Sequence, residues 1–320
     1  MAYKILIPQA ISAEGIELLE SYGYEIKMGS GPLEENLIKD VVDCDAILLR
    51  TAPCTKAVLK AGKKLKIVAR HGAGYNNVDL EAAAKLGIWT TNAPDSTTNT
   101  VAEFTLGAIL AISKKIFLLN QKIKSGDFFF KNNNKGMDLA KKKLGIVGFG
   151  RIGQRIAHKA YYGLDMEILA FDPLGKAIRT PDYVKLCGWD EIFKEADIIS
   201  LHMPYTGDNS GCVGKNEFKN MKESAYFVNC ARGEVVDEKE LIKALKTNEI
   251  FGAFIDVFEV EPPSQDNPLL SMDNVVVTPH MASNTDECMM LMATQAASEI
   301  IRVLSGEQPN WPVNKPKKKD

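Results

Sequence analysis

Proton and anion chemistry in this chain would fall to a few residues. These are four histidines, an arginine in a glycine-containing turn and two glutamates ahead of a proline pair. His280 follows Pro279 at the end of the apolar run 275–278, and Arg232 lies just beyond the run 226–228. An imidazole titrates near neutrality, so it can give and retake a proton. A guanidinium is a planar fork matched to a carboxylate. Glu259 and Glu261, in the turn Phe258-Glu259-Val260-Glu261-Pro262-Pro263, are both candidates for a carboxylate that would orient the imidazole and favour its charged form. Composition does not choose between them. Taken singly, each of these residues reads as a solvated turn. Their positions draw them together: His202, Asn229, Arg232, Asp256 and His280 all fall at the carboxyl ends of expected strands, where open parallel sheets bind ligands. His158 lies off the apolar face of its helix and reads as a surface residue.

The element that gives this set a context begins at residue 144. A short apolar run, 144–147, leads straight into Gly148-Phe149-Gly150-Arg151-Ile152-Gly153, and Ile152, Ile156, Ala157 and Ala160 then recur at helical spacing. Strand, G-x-G-x-x-G and helix together signal dinucleotide binding. Gly148 allows the tight turn, Gly150 lets a pyrophosphate approach the backbone, and Gly153 lets helix and strand pack closely. The helix start offers unpaired N–H groups and a positive dipole end to phosphate. Asp172 ends the next expected strand, 167–171. An acid there accepts hydrogen bonds from ribose hydroxyls and repels a 2′-phosphate, which favours NAD over NADP. Beside NAD, a cation, a proton donor and a carboxylate to hold that donor are what hydride transfer to a 2-oxo acid needs. Gly72-Ala73-Gly74, after His71, is a second glycine loop, but Asn77 stands where a third glycine would be, so it is not read as a second nucleotide site.

Strand-like and helix-like stretches alternate on both sides of this motif. Strands are expected at 3–7, 24–28, 45–49, 66–69 and 88–90, with helices at 13–22, 33–40 and 80–86. A second series of strands follows at 144–147, 167–171, 198–201, 226–228, 252–256 and 275–278. A helix at 237–246 opens on Asp237 and Glu240, spaced as in a capping box. This is α/β alternation, and it predicts two doubly wound parallel-sheet domains. A long apolar helix, 101–119, is expected to lie between the two series, buried on more than one side, in a domain-spanning or dimer-interface role. The last helix, 286–304, comes after the second sheet is complete and could return to the first. The loop 126–135 carries Phe128, Phe129 and Phe130, expected to cover the domain junction.

The chain's 320 residues suggest about two domains. A net charge of −2 implies no general polyanion-binding surface, and the basic run 315–319 reads as a solvated tail rather than a nucleic-acid site. The most apolar segment, 101–112, is shorter than a membrane span needs and contains Glu103. The six cysteines are scattered without a C-x-x-C pair, which argues against zinc or a disulfide framework and for a reducing, cytoplasmic setting; no metal is expected. The amino-terminal apolar run is too short for a signal peptide.

Three long motifs then carry a resemblance. Residues 228–238 (VNCARGEVVDE), 255–262 (IDVFEVEP) and 277–280 (VTPH), in that order, resemble the signature of the D-isomer-specific 2-hydroxyacid dehydrogenases. The similarity extends over nearly the whole chain and includes 148–153, 201–204 and 72–79. The resemblance implies that Arg232 binds the substrate carboxylate and polarises the keto oxygen, that His280 is the acid/base, and that Glu261 rather than Glu259 pairs with it. It implies a cofactor site for NAD built from Gly148, Gly150, Arg151, Ile152, Gly153, Asp172, His202, Pro204, Cys230, Ala231 and Asp256. Asp256 would bind the nicotinamide carboxamide. Gly72, Ala73 and Gly74 would offer backbone N–H groups to the substrate. It further implies a Rossmann NAD-binding domain, 101–284, inserted in a flavodoxin-like substrate domain made of 1–100 and 285–320, and a homodimer. Two positions depart from the family pattern: Met281-Ala282-Ser283-Asn284-Thr285, where a glycine- or alanine-rich step is more usual, and Asn76, where Asp is frequent.

Substrate choice would come from the first domain, where Arg50 and Arg70 end expected strands. Arg50 falls where 3-phosphoglycerate dehydrogenases carry a phosphate-binding arginine, and two arginines suit an anionic group. The partner expected is therefore a small 2-oxo or 2-hydroxy acid, with 3-phosphoglycerate and its 2-oxo form foremost. Glyoxylate/hydroxypyruvate, D-lactate-type and branched 2-oxo acid reduction are the alternatives. A non-catalytic, NAD-sensing co-repressor would keep the same three residues. Formate dehydrogenases resemble a pattern with Gln at the Glu261 position, so Glu261 argues against formate; phosphite stays open.

Overall fold

The computed structural model describes residues 2–317, so Lys318 and Lys319 of the basic tail lie outside the described residues. The chain forms two compact units. The first runs to Thr97 and resumes at Asn284; the second is Thr98–Ser283.

In the first unit five short strands, β1 (Lys4–Ile7), β2 (Glu25–Met28), β3 (Ala46–Leu49), β4 (Ile67–Arg70) and β5 (Trp89–Thr91), alternate with four helices. These are α1 (Ala13–Ser21), α2 (Glu34–Asp40), α3 (Lys56–Ala61) and α4 (Leu80–Lys85). All pairings are parallel, in the order β2-β1-β3-β4-β5, the flavodoxin-like order. The inner strands β1, β3 and β4 are apolar on both faces because both are covered. Leu6, Ile47, Leu49 and Val68 point into one core. Ile5, Ile7, Ala46, Leu48, Ile67 and Ala69 point into the other.

The second unit opens with α5 (Thr98–Ser113) and α6 (Ile116–Lys124). One continuous helix over 101–119 is thus not what forms. Lys115 takes a left-handed conformation with φ 55°, and the Ser113 carbonyl accepts from Met137 N instead of continuing the ladder. The reason is a change of environment. Val101, Ala102, Ala108, Ile109 and Ile112 of α5 are buried in the core, while α6 buries none of its residues. The phenylalanines beyond it also differ from expectation: they start a 3-10 turn, Phe128–Asn133, and Phe128 and Phe129 are 55% and 73% exposed.

Seven strands follow: β6 (Lys143–Val147), β7 (Glu167–Phe171), β8 (Val184–Leu186), β9 (Ile198–Leu201), β10 (Tyr226–Asn229), β11 (Gly252–Ile255) and β12 (Val275–Val277). Among them run α7 (Arg151–Leu164), α8 (Trp189–Glu195), α9 (Lys215–Asn220) and α10 (Glu238–Lys246). The order β12-β11-β10-β9-β6-β7-β8 reverses direction between β6 and β9. This is a Rossmann arrangement with its topological switch point beside the carboxyl end of β6. β8 escapes the sequence pattern because it is three residues long with only Val184 buried. The capping box at α10 is half formed. Asp237 Oδ1 accepts from Lys239 N and Glu240 N, but Asp237 N donates to the Val213 carbonyl, so Glu240 has no N-cap donor to receive.

The last helix, α11 (Asp286–Leu304), returns to the first unit. Its small residues let it lie against α1: a Cβ built on Gly15 would be 2.6 Å from Ala293 Cβ. Ala296, Ala297, Ile300 and Leu304 complete the core under β1, β3 and β4. No helix of the described residues is long and apolar enough to cross a membrane.

Candidate active site

Strand ends and one close backbone approach assemble the second unit's polar set. β10 ends at Asn229, and the turn that follows is held by that side chain: Asn229 Oδ1 accepts from Ala231 N at 3.0 Å, and Nδ2 donates to the Arg232 carbonyl at 2.9 Å. The half-buried Arg232 donates through Nη1 to the Ala231 carbonyl at 2.7 Å, which leaves most of its fork for a ligand. Gly233 comes next and is packed against the Phe258–Glu259 peptide so closely that a Cβ would lie 1.9 Å from Phe258 C and O. That contact brings the arginine turn to the turn carrying Glu261.

Glu261 Oε2 lies 2.8 Å from His280 Nδ1, and Glu261 Oε1 accepts from Phe258 N at 3.2 Å. Glu259, the other candidate, offers only its backbone N–H here, to Glu238. Burial alone would raise the Glu261 pKa. The His280 hydrogen bond, the His280 charge, the Phe258 N–H and the nearby Arg232 charge outweigh it and hold the carboxyl below its ordinary value. Arg232, Glu261 and His280 are therefore one electrostatic group. With Nδ1 engaged, His280 Nε2 is the nitrogen left to meet a ligand, and the side chain is 45% exposed. An apolar cavity of about 320 Å³, lined by Phe258, Pro262, Pro263, Leu270 and Val277 among others, adjoins the pair.

His280 sits at φ 56°, unusual for a residue with a side chain. What holds it there is Asp256. The Asp256 carbonyl accepts from His280 N at 2.8 Å. Its carboxylate, fully buried, accepts from Thr278 Oγ1 (2.6 Å), Met281 N (2.7 Å) and Ala282 N (2.9 Å). Asp256 thus clamps the segment that presents the imidazole.

The glycine loop at the switch point is shaped to receive a dinucleotide. Gly148 has φ +96° and a Cβ there would lie 2.6 Å from the His202 backbone; a Cβ on Gly153 would lie 2.3 Å from the Gly148 carbonyl. At Gly150 the same construction meets nothing within 4 Å, so the α7 start faces open space. Arg151 and Ile152 open α7 behind it. Asp172 accepts from Phe149 N at 2.9 Å and from Leu174 N at 3.0 Å, which fixes a carboxylate beside the loop. His202 follows β9, half-buried ahead of Pro204; loss of solvent around the ring pushes its pKa down to about 3, and its Nε2 lies 2.7 Å from Ser200 Oγ. Its Nδ1 is buried without a partner among the described residues. Cys230 is buried and its thiol pushed well up, so it is no nucleophile. Among the described residues no group of three His, Cys, Asp or Glu side chains could hold a metal ion.

The first unit carries Arg50, Arg70 and the 72–74 loop at the carboxyl ends of β3 and β4. Arg50 Nη1 donates to the Ala10 carbonyl at 2.9 Å. Arg70 turns back on its own unit, with Nε on Asn77 Oδ1 at 3.0 Å and Nη1 on the His71 carbonyl. Asn77, noted in the sequence only as the missing third glycine, also donates to the Arg50 and Ala52 carbonyls. Sequence reasoning passed over Gly233, Thr278 and Asn77 as working parts. Their only signal was to lie within or beside the motifs.

The family model for the D-isomer specific 2-hydroxyacid dehydrogenase, NAD binding domain, matches residues 106–282, which is most of the second unit. The chain belongs to the D-isomer specific 2-hydroxyacid dehydrogenase family. Within that family it is 39% identical over 316 residues to D-3-phosphoglycerate dehydrogenase of Methanocaldococcus jannaschii, covering 98% of this chain and 60% of that one. It thus spans about three fifths of that relative's length. It is 36% identical to glyoxylate reductase of Korarchaeum cryptofilum over 98% of this chain and 96% of the relative. Among solved structures, a protein from Thermus thermophilus superposes with a TM-score of 0.89 at 30% identity, covering 97% of this chain and 99% of that one.

Proposed function

We propose that the chain is an NAD-dependent D-2-hydroxyacid dehydrogenase acting reversibly between a 2-oxo acid and its D-2-hydroxy acid. The observation that carries this is the Glu261–His280 pair at 2.8 Å with Arg232 in the same electrostatic group, at the carboxyl end of the same sheet as a glycine loop with open space at Gly150. Arg232 holds the substrate carboxylate and polarises the keto oxygen. His280 Nε2 donates the proton that oxygen needs as it becomes a hydroxyl. Glu261 keeps Nδ1 as the donor to itself, which fixes the ring orientation and stabilises the imidazolium before transfer. When bound, NADH supplies the hydride; Gly148, Gly150, Gly153 and the α7 start would hold its pyrophosphate, and Asp172 its ribose. Asp172→Ala removes the carboxylate that disfavours a 2′-phosphate. The ratio of kcat/KM for NADH over NADPH should fall at least 10-fold, read by steady-state kinetics; an unchanged ratio removes Asp172 from this role.

We infer 3-phosphohydroxypyruvate as the 2-oxo acid. Arg50 supports it, since only one of its nitrogens is committed among the described residues, to the Ala10 carbonyl, as does the likeness to an enzyme named for phosphoglycerate. Arg70 no longer supports it, because its guanidinium braces Asn77 and His71. NADH oxidation with 3-phosphohydroxypyruvate, hydroxypyruvate, glyoxylate, pyruvate and 2-oxoisocaproate tests the reading. Arg50→Ala should raise KM for the phosphorylated acid about 10-fold or more and leave hydroxypyruvate within 2-fold, the loss expected of a charge-assisted pair. Preference for glyoxylate would instead favour a glyoxylate reductase, to which the chain is also similar. Tight NADH binding without turnover of any acid would favour the NAD-sensing alternative.

The same reading includes a homodimer and a cytoplasmic setting. Ile116, Phe117, Ile123, Phe128 and Phe129 form an exposed apolar series on α6 and the turn after it, a surface suited to a second copy. None of the six cysteines is joined in a disulfide, as a reducing compartment allows.

A further inference from the structure

The first unit's glycine loop is held by a residue that no motif marks. After β4, Gly72 takes φ +133°, and the N–H groups of Ala73 and Gly74 have no protein acceptor among the described residues. Two bonds fix the carbonyls on the other side of the same peptides. Asn92 Nδ2 donates to the Ala73 carbonyl at 2.7 Å, and Ala93 N donates to the Gly72 carbonyl at 2.9 Å. In a planar trans peptide the N–H points opposite to the carbonyl of that same peptide. Holding the Gly72 and Ala73 carbonyls therefore aims the Ala73 and Gly74 N–H groups.

Asn92 is itself held. It directly follows β5, the edge strand of its sheet, and the tail runs back along that edge. Asn92 N donates to the Trp311 carbonyl at 3.2 Å, and Val313 N to the Thr90 carbonyl at 2.9 Å. Asn314 closes the strap with both ends of its amide, accepting from Thr90 N at 2.8 Å and donating to the Ile88 carbonyl at 2.9 Å. Where the strap leaves α11, Glu299, 2% exposed, accepts from Asn310 N and Trp311 N. Covering an edge strand is a general need. Here the cover also fixes the backbone of Asn92, whose side chain reaches across to Ala73.

We propose that Asn92 is a positioning residue for substrate: it orients the 72–74 loop so that the Ala73 and Gly74 N–H groups are presented to the substrate carboxylate, and the 310–314 strap holds Asn92 in place. This rests on the reading that the 72–74 loop receives substrate. An amide is required at position 92, because the acceptor is a carbonyl. A carboxylate there would face the Ala73 oxygen with no proton to share and would repel an incoming anion.

Two readouts test it on the full chain. The first is exchange of the Ala93 amide, which is protected by the Gly72 carbonyl, measured without any ligand. The second is the KM for the preferred 2-oxo acid, with kcat and NADH affinity measured alongside. In Asn92→Ala and Asn92→Asp, Ala93 exchange should rise at least 10-fold and KM should rise at least 10-fold, more for Asp than for Ala, with kcat within 3-fold and NADH affinity unchanged. Unchanged Ala93 exchange overturns the proposal at Asn92 itself, whether or not the wild-type protein turns over an acid. Raised exchange with unchanged KM overturns it through the reading of the loop. Should the Asn92 variants not fold, Asn314→Ala removes only the strap's side-chain bonds and must raise the same exchange; if it does not, the strap has no part in holding Asn92.

Discussion

His280→Ala lowers kcat for 2-oxo acid reduction by about 10³-fold while NADH binds as before, the range expected when a positioned acid/base is removed. The imidazole is the group at this site with a free nitrogen, Nε2, and a fixed tautomer, because Nδ1 is engaged by Glu261 Oε2 at 2.8 Å. Nothing in the glycine loop depends on it: Gly148 packs on the His202 backbone and Gly153 on the Gly148 carbonyl. Cofactor titration by fluorescence should thus be unaltered. Near-normal turnover in that variant would end the assignment. Glu261→Gln is the finer probe. It keeps the volume and a hydrogen bond but loses the charge that favours the imidazolium, so activity falls less than in His280→Ala and the alkaline limb of the reduction profile moves to lower pH. The wild-type carboxylate has its pKa lowered in the fold. A lowered carboxylate contributes stability that is complete above its unfolded value and lost as pH falls through the folded one. The pair therefore stays charged on the glutamate side throughout the neutral range and fails only below the ordinary carboxylate range. An acidic limb near pH 6 in wild type that is unchanged in Glu261→Gln cannot then come from Glu261.

Gly233→Ala is expected to destabilise the second unit by about 3 kcal/mol and to lower turnover sharply, although alanine adds one methyl group. The added Cβ would lie 1.9 Å from Phe258 C and O and 2.5 Å from Glu259 N. These are backbone atoms, so no side-chain rotation relieves the overlap, and such overpacking costs about 1–3 kcal/mol even where neighbours can adjust. Relief requires the turn after β10 and the turn after β11 to part. The first carries Arg232. The second carries Glu261, whose Oε1 is tied to Phe258 N at 3.2 Å. Parting them should uncouple the arginine from the Glu261–His280 pair, so kcat/KM falls with both KM raised and kcat lowered. Thermal unfolding and kinetics on the same preparation check this. A variant with wild-type melting temperature and activity would mean that the two turns are not held together through Gly233.

Much of this site could be read along the chain because its chemistry is local. The glycine loop is contiguous, and its meaning follows from a strand, a turn and a helix in sequence. Most short strands of both sheets, β8 excepted, were visible because parallel strands covered on both faces are rich in apolar residues, as 46–49 and 226–228 are. Where the neighbours lay far off in sequence, the pattern misled. The apolar run 101–119 looks like one helix because periodicity reports which residues could be buried. The partner that ends the ladder, Met137 N on the Ser113 carbonyl, is invisible to it. Phe128 and Phe129 suggest a buried role on hydrophobicity alone and are exposed.

Arg70 shows the same limit for function. Its charge and its place at a strand end were legible, but the direction of its side chain was not, and Asn77 decides that direction. Glu259 and Glu261 could not be separated by residue chemistry, since both are carboxylates in one turn. The backbone path between Phe258 and His280 separates them, by sending the Glu261 side chain to Nδ1 and leaving Glu259 exposed. Residue types, order and spacing by themselves determined the fold class, the family and the identity of the groups able to do acid–base and anion chemistry, because those properties are carried by contiguous segments. The resemblance had named Glu261 as the carboxylate that meets the imidazole, and the fold brings the two together; tertiary structure alone decided how Asp256 holds His280 at φ 56° and which asparagine holds the 72–74 loop. Those are contacts between segments far apart in the chain, fixed by how closely two backbones can approach.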